Sequence, residues 1–247
     1  MKPPTQTNAH SEDRLLDAAK AALRKAVRPV TFSGAGLSAE SGIPTFREAQ
    51  TGLWAMYDPM ALASPEGFAT DPELVVGWYN ERRRNVASAQ PNAAHCAMAG
   101  RQDIVHVTQN VDNLLERAGA NDVVHLHGSL DRDKCSGGCG HREDIDLANP
   151  LPLRPCPLCG HWMRPDVVWF GEQLPRVGWL RADQLAAEAD VFVVIGTSAQ
   201  VYPAAGLIAT ARRADAIVIE VNIEPGATPG IQLTGPAGRI VPELLSL

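Results

Sequence analysis

Four short apolar runs, each followed by small or polar residues, constrain the fold of this chain more than any other feature. The runs cover residues 29–33, 104–107, 191–195 and 216–221, and helical stretches separate them. Continuous apolar runs of this length are typical of strands that are buried on both faces. The alternation of strands and helices predicts an α/β fold built on a doubly wound parallel sheet.

Helices are predicted before the first strand and between the later ones. Between residues 11 and 28 the apolar side chains recur near helical spacing, and Ser11 is a residue type that caps helix N-termini. Shorter helices are predicted at about residues 112–118, 181–188 and 204–213.

Two segments interrupt this alternation and predict a second, smaller domain. Residues 48–90 have helical character and carry several aromatic side chains, while residues 132–164 hold a cysteine cluster among prolines and glycines. We therefore expect a large domain made of residues 1–47, 91–131 and 165–247, and a small domain made of the two inserted segments.

The four clustered cysteines predict a structural metal site. Three residues separate Cys135 from Cys139, two separate Cys156 from Cys159, and sixteen lie between the pairs. Two short knuckles with such a spacer suit one tetrahedral zinc ion held by four thiolates, which leaves no open position for water. Four unrelated thiols are the alternative, and a nearby histidine could replace one cysteine.

Polar residues follow each predicted strand, at the position where doubly wound sheets bind their ligands. After the first strand, the segment from Gly34 to Ala39 matches a dinucleotide-binding fingerprint with alanine in the third place. In that motif the glycines let the backbone approach a pyrophosphate, and amides at the start of the next helix point at the charge. A bare tight turn is the alternative for this segment taken alone.

Composition excludes several classes of protein. With 45% apolar and 20% charged residues, this chain of 247 residues has the balance of a globular protein and not of a disordered one. Its net charge of −6 argues against a globally basic nucleic-acid binder. The first residues lack the apolar stretch of a signal peptide, and no apolar run approaches the roughly 18 residues of a membrane span, so we expect a cytoplasmic protein.

Five segments of the chain together resemble one protein family. They are residues 34–47 (GAGLSAESGIPTFR), 108–114 (TQNVDNL), 125–128 (HLHG), 167–172 (VVWFGE) and 196–198 (GTS). In this order, and with the cysteine spacing above, they resemble the sirtuins, which are NAD-dependent protein deacylases. The resemblance implies a Rossmann-like NAD domain and a smaller domain made of a zinc ribbon and a helical module. NAD and acyl-lysine would bind in the cleft between the two.

The resemblance also assigns residues to NAD, which with one structural zinc ion is the expected cofactor. It implies that the glycine segment holds the pyrophosphate, that Gln109 contacts the nicotinamide ribose, and that Asn110 and Asp112 line the nicotinamide pocket. The loop that follows Arg47 is expected to close over NAD and is about one residue longer than is usual in the family. The full set of implied NAD contacts is Gly34, Ala35, Gly36, Ala39, Ile43, Thr45, Phe46, Arg47, Trp54, Gln109, Asn110, Val111, Asp112, Gly196, Thr197, Ser198, Asn222, Ile223, Glu224 and Ala237.

His127 matches the family's catalytic histidine, and Asn110 is assigned to catalysis with it. An imidazole that titrates near neutrality can take a proton from a ribose hydroxyl. In the implied reaction the acyl oxygen of the lysine amide attacks the ribose carbon as nicotinamide leaves, and His127 then activates the 2′-hydroxyl. The products are free lysine, nicotinamide and acyl-ADP-ribose. A buried histidine that bonds a backbone carbonyl is the alternative, and we assign His125, on the same predicted strand, to structure.

Two groups of residues are assigned to substrate recognition. Val168, Phe170 and Gly171 belong to a segment against which a peptide substrate is expected to add as a strand. Tyr79 and Arg82 lie three residues apart, on one face of a predicted helix, and a phenol with a guanidinium can bind a carboxylate.

The tyrosine and arginine pair predicts which acyl group is removed. Sirtuins that remove succinyl and malonyl groups carry this pair, and Ala63 matches the small residue that widens their acyl pocket. The alternative is that Arg82, Arg83 and Arg84 merely solvate a helix face, which we expect of the last two in either case. We predict a lysine desuccinylase and demalonylase that also deacetylates, acts on acylated-lysine proteins or peptides, and binds neither membranes nor nucleic acid directly. Protein ADP-ribosyl transfer, or a non-catalytic module that senses NAD or ADP-ribose, is the alternative.

Overall fold

The structure is a computed structural model that describes residues 6–44, 58–198, 202–226 and 229–246, with side chains from residue 12 onward. The α-helices in these ranges are α1 (Gln6–Lys25), α2 (Pro59–Leu62), α3 (Pro65–Thr70), α4 (Pro72–Ser88), α5 (Ala93–Ala99), α6 (Leu114–Arg117), α7 (Arg176–Glu188), α8 (Gly206–Arg213) and α9 (Ala237–Leu245). The strands are β1 (Pro29–Ser33), β2 (Val105–Thr108), β3 (Val123–His125), β4 (Gly128–Cys135), β5 (Arg142–Asp144), β6 (Met163–Val167), β7 (Val191–Ile195), β8 (Ile217–Asn222) and β9 (Ile231–Thr234).

Six strands form the main sheet, in the order β3-β2-β1-β7-β8-β9, and every neighbouring pair is parallel. The chain therefore builds outward from β1 in one direction and then, from β7, in the other. This is the strand order of Rossmann-type sheets, and it opens a crevice beyond the carboxyl ends of the two central strands. The predicted doubly wound parallel sheet is confirmed.

Burial on both faces of the sheet explains why strand β7 is apolar throughout. Along β7, Val193 and Ile195 pack on one face, against α1, α5 and α9, while Phe192 and Val194 pack on the other face, against α7 and α8. Successive side chains of a strand point to opposite faces, so a strand that is covered twice needs an apolar or a hydrogen-bonded side chain at every position. All five residues of β7 are buried.

A separate antiparallel sheet, in the order β5-β4-β6, carries the cysteine cluster and completes the predicted α/β fold with its smaller second part. Helices α2, α3 and α4 share one apolar core with this sheet, in which Trp78 of α4 packs with Leu130 of β4 and Trp169 after β6. The predicted domain limits stay a prediction, and β4 runs across the predicted limit between residues 131 and 132.

The start of the first helix was predicted wrongly. Helix α1 begins at Gln6, so Ser11 lies inside it and does not cap it. The polar residues between Gln6 and Ser11 are all compatible with a helix, and the last residue that would interrupt one is Pro4. No helix within the described ranges is long and apolar enough to cross a bilayer.

Candidate active site

The glycine segment lies at the switch point of the main sheet, where the loops that follow β1 and β7 touch. The amide of Gly36 donates to the carbonyl of Gly196 at 2.8 Å, and the amide of Gly34 donates to the carbonyl of Ile195 at 3.0 Å. A Cβ atom on Gly36 would lie 2.7 Å from the Cα of Gly196. These glycines are therefore required by a backbone contact within the chain. Two short 3-10 turns, Ala35–Leu37 and Ala39–Ser41, follow where the dinucleotide-binding fingerprint has the start of a helix.

Polar side chains tie together the carboxyl ends of β2, β7 and β8. The amide nitrogen of the Gln109 side chain donates to the hydroxyl of Thr197 at 2.9 Å, and the side chain of Asn222 donates to the carbonyl of Thr197 at 3.0 Å. Ser198, Ile223 and Glu224 are exposed beyond this contact, and Ala237 is buried at the start of α9. The structure thus gathers three of the predicted NAD contacts at one edge of the sheet.

A buried hydrogen-bond network centred on Ser38 holds two of the predicted nicotinamide residues. The Ser38 hydroxyl donates to Asp112 at 3.0 Å and accepts from the side chain of Asn110 at 3.1 Å. His95 lies 3.4 Å away, through Nε2, and its Nδ1 accepts from the amide of Asn92. Because Nδ1 is an acceptor, neutral His95 carries its proton on Nε2 and donates to Ser38. Burial lowers the pKa of His95 to about 4, although the carboxylate of Glu116 opposes this shift. His95 is therefore neutral near pH 7.

Neither Ser38 nor His95 was predicted as a site residue. One sequence signal could have identified Ser38 as a site residue: it lies inside the glycine segment, between two predicted NAD contacts. The network also acts on Asp112, whose pKa is raised by burial, while bonds from the amide of Leu114 and from Ser38 oppose the shift. Ile43 and Val111 pack at the border of the small-domain core.

His127 lies in the link between β3 and β4 and is bonded to Gln109, the residue before Asn110 of this network. Its Nδ1 lies 3.0 Å from the carbonyl of Gln109, so Nδ1 donates and Nε2 carries the lone pair of the neutral ring. Burial lowers the pKa of His127, and the bond to Gln109 opposes that shift. The next residue, Gly128, has φ +78°, and a Cβ there would collide with the carbonyl of Asp166. His127 therefore has the form that accepts a proton near neutral pH.

His125 and His127 do not share a strand, contrary to the prediction. Strand β3 ends at His125 and β4 begins at Gly128, because the chain leaves the parallel sheet here and enters the antiparallel one. His125 contacts the carbonyl of Asn110 at 2.9 Å and the carboxylate of Glu116 at 2.7 Å. Burial disfavours its charge, but these two partners raise its pKa overall. It supports the Asn110 backbone.

Helix α4 presents the predicted tyrosine and arginine pair on one face. The carboxylate of Asp71 caps the helix by accepting from the amide of Leu74 at 2.9 Å, and Pro72 occupies the first turn. Such a start fixes where the helix begins and so which residues face inward. Tyr79 is 1% exposed and Arg82 is half-buried.

The two side chains of the pair lie close together among aromatic rings. The guanidinium carbon of Arg82 is 4.8 Å from the ring centroid of Trp78 and 5.4 Å from that of Tyr79. The Tyr79 hydroxyl accepts a hydrogen bond from the indole of Trp169 at 2.9 Å. Burial raises the pKa of Tyr79, whereas burial lowers the pKa of Arg82, with Tyr79 and Asp112 opposing. The pair is therefore a neutral phenol beside a partly desolvated cation.

The predicted peptide-binding segment connects Ala63 to His127. The amides of Val168 and Phe170 donate to the carbonyls of His127 and Ala63, both at 2.9 Å. Ala63 is buried at the end of α2, while Phe170 and Gly171 are exposed. Because the two amides already donate within the chain, an added peptide strand must bond to other backbone groups of this segment.

Arg83 was predicted to solvate the exposed face of α4. In the structure it is fully buried. Its guanidinium pairs with Asp133 at 2.5 Å and donates to the carbonyls of Leu130 and Arg132 at 2.8 and 3.1 Å. Arg83 is one residue, or about 100°, further round α4 than Arg82, which turns it toward β4. The other oxygen of Asp133 accepts from Arg154 at 2.8 Å. Exposed Arg84 fits the prediction.

Replacing Arg83 by methionine is expected to lower the free energy of unfolding by about 3 kcal/mol, because a buried carboxylate and two carbonyls lose their donor. Arg84→Met, on the exposed side of the same helix, is the matched control and is expected to stay within about 0.5 kcal/mol of wild type. Urea unfolding of both variants measures the difference. Equal stabilities would contradict the assignment of Arg83 to the joint between α4 and β4.

The four cysteines converge at the end of the small sheet, as the spacing predicts. Their Sγ atoms all lie within 4.8 Å of one another. The Sγ atoms of Cys135 and Cys159 are 3.3 Å apart, and those of Cys139 and Cys156 are 3.7 Å apart. Zinc–sulfur bonds of about 2.3 Å place tetrahedral sulfur ligands about 3.8 Å apart, so the cluster fits one structural zinc ion.

Part of the predicted NAD site falls outside the described residues. This applies to Thr45, Phe46, Arg47 and Trp54, and to the longer loop between them. Their assignment to NAD stays a prediction.

Comparison with known proteins gives a consistent result. The model of the protein family described as the Sir2 family matches residues 34–203 of this chain. The chain is 48% identical over 237 residues to NAD-dependent protein deacylase 1 of Pseudomonas aeruginosa, covering 90% of this chain and 95% of that protein. It is 46% identical over 236 residues to the NAD-dependent protein deacylase of Ralstonia nicotianae, covering 92% and 95%.

Solved structures agree with this assignment. A Sir2 homologue in complex with NAD is 42% identical, with a TM-score of 0.84 over 94% of this chain and 92% of that one. Sir2Af2 bound to a myristoylated histone peptide is 31% identical, with a TM-score of 0.74 over 94% and 95%. By its sequence and its fold, this chain belongs to the Sir2 family, the sirtuins.

Proposed function

We propose that this chain is an NAD-dependent protein-lysine deacylase with a preference for succinyl and malonyl groups. The observation that supports deacylation best is the position of His127, which keeps its Nε2 lone pair and is bonded through Nδ1 to Gln109, the residue before Asn110 of the Ser38 network. Relatives that share nearly half of its residues are named NAD-dependent protein deacylases. The substrates are NAD and an acylated lysine, and the products are nicotinamide, acyl-ADP-ribose and lysine.

The catalytic roles follow from the protonation states. His127 takes a proton from a ribose hydroxyl through Nε2, while its Nδ1 is held by the carbonyl of Gln109. The side chain of Asn110 donates to the hydroxyl of Ser38, and its backbone amide donates to the hydroxyl of Thr108. Because Asn110 is held at both groups, we assign it to the positioning of the nicotinamide group.

The acidic-acyl preference rests on the contrast between two neighbouring arginines. Arg83 forms an ion pair with Asp133. Arg82 forms no ion pair with a carboxylate in the part of the chain that the structure describes. A partly desolvated guanidinium beside a neutral phenol is suited to bind an incoming carboxylate. A succinyl or malonyl group supplies that carboxylate, and an acetyl group does not.

Arg82→Met tests this preference directly. We expect kcat/KM for a succinyl-lysine peptide to fall by about 10- to 100-fold, since a hydrogen bond to a charged group contributes about 1.5–3 kcal/mol. Turnover of an acetyl-lysine peptide should change little. Arg84→Met, at an exposed position of the same helix, is the matched control. Unchanged succinyl turnover in Arg82→Met would remove the carboxylate clamp and leave only the general deacylase.

A further inference from the structure

Trp169 contacts Tyr79, one member of the tyrosine and arginine pair. It lies between Val168 and Phe170 of the predicted peptide-binding segment, is 2% exposed, and donates its indole N–H to the Tyr79 oxygen at 2.9 Å. Neither the peptide nor the acyl assignment made above includes it. This hydrogen bond places the indole against a side chain that is predicted to bind the acyl group.

The indole is held on its face and at its backbone. The guanidinium carbon of Arg164 lies 3.2 Å from the ring centroid of Trp169. Arg164 is 6% exposed and forms a bidentate pair with Glu172, at 2.6 and 3.0 Å. Glu172 also accepts from the backbone amide of Trp169 at 2.9 Å, and Phe68 packs 5.3 Å from the indole ring. The indole N–H is therefore preorganised toward Tyr79.

The polarity of these contacts decides what Tyr79 can do. An indole N–H can only donate, and a guanidinium can only donate. Trp169 donates to the Tyr79 oxygen, and the guanidinium of Arg82, whose carbon lies 5.4 Å from the Tyr79 ring centroid, also has only donors to offer. A phenol has two acceptor positions and one hydrogen. With donors at the oxygen, the hydroxyl hydrogen is directed to an acceptor elsewhere.

We propose that Trp169 is a positioning residue that makes Tyr79 a hydrogen-bond donor toward the distal carboxylate of the acyl group. This rests on the proposed acidic-acyl preference. A carboxylate only accepts, so it matches a phenol that donates beside a guanidinium that donates. A terminal amide of the same shape offers donors as well as an acceptor and fits less well, and a terminal methyl group offers neither.

Conservative variants separate this role from packing. Trp169→Phe keeps an aromatic ring and removes the N–H, and Tyr79→Phe removes the hydroxyl. We expect Trp169→Phe to lower succinyl-peptide kcat/KM roughly three- to tenfold, the span of a net hydrogen bond, mainly through KM. Acetyl-peptide kcat/KM should stay within about twofold. In the Tyr79→Phe background, Trp169→Phe should cause no further loss, because the hydroxyl it orients is already gone.

Controls make each outcome decisive. Trp162→Phe, at a half-exposed tryptophan of the small sheet, should leave the succinyl-to-acetyl ratio unchanged. If thermal unfolding shows that Trp169→Phe is not folded, Trp169→Met gives the same comparison, since methionine also lacks the side-chain N–H. Equal losses on both peptides, or additive losses in the double variant, would overturn the positioning role. If Tyr79→Phe and Arg82→Met both leave the ratio unchanged, the acidic-acyl preference itself fails.

Discussion

Replacing His127 by alanine is expected to lower the kcat of deacylation by about 10²- to 10⁴-fold, the range of a lost general base. The fold should persist, because the ring makes one bond to the Gln109 carbonyl and is not part of an ion pair in the described residues. Nicotinamide release and lysine release from an acyl peptide, measured with stopped reactions, give the comparison. His161→Ala, at an exposed histidine, is the control.

The pH profile tests the same assignment without a mutation. A base acts in its neutral form, and burial lowers the pKa of His127 below its usual value of about 6.5. Activity should therefore rise with pH through a midpoint below 6.5 and be complete at neutral pH, if this group controls the acid limb. A midpoint above 7, or a His127→Ala enzyme with the wild-type rate, would contradict the role of His127 as the base.

Loss of the zinc site is expected to have the largest effect on stability. Cys156→Ser removes one of four thiolates, and structural zinc contributes roughly 10–16 kcal/mol of binding free energy that the folded ribbon depends on. We expect the variant to lose its equivalent of zinc and to unfold at a lower temperature. Metal analysis and thermal unfolding measure the two effects.

The zinc site should also affect the acyl pocket. Asp133 lies two residues before Cys135, Arg154 two before Cys156, and both belong to the network that holds Arg83 of α4. Disordering the ribbon should therefore weaken succinyl turnover along with stability. Cys96→Ser, at an exposed cysteine on α5, is the matched control. A Cys156→Ser protein that keeps one tightly bound zinc and wild-type stability would contradict the four-thiolate site.

The strands that the sequence predicts best are those that the fold covers on both faces. Residues 29–33 and 191–195 were predicted as strands and coincide with β1 and β7, because both central strands are buried at every position and β7 is apolar throughout. Spacing alone was enough to predict the cysteine cluster, since tetrahedral coordination fixes how the two pairs must meet. One strand was predicted to hold both His125 and His127, but β3 ends at His125, and a strand of three residues is too short for a sequence pattern to fix its end.

Long-range contacts account for what local patterns could not predict. Arg83 stands among three consecutive arginines, and only the position of Asp133 on β4 makes it a buried residue. The separation of His125 from His127 depends on which sheet each segment joins. Trp169 lies within a segment that was singled out, but its hydrogen bond to Tyr79 spans 90 residues of chain.

The measurement that tests the account most directly is product analysis after incubation of the full chain with NAD and a succinyl-lysine peptide. Mass spectrometry should find free lysine peptide, nicotinamide and succinyl-ADP-ribose in equal amounts, and nothing should form without NAD. An acetyl peptide should react more slowly. Absence of NAD-dependent lysine release across succinyl, malonyl and acetyl peptides, or ADP-ribose label retained on protein, would contradict the assignment as a protein deacylase.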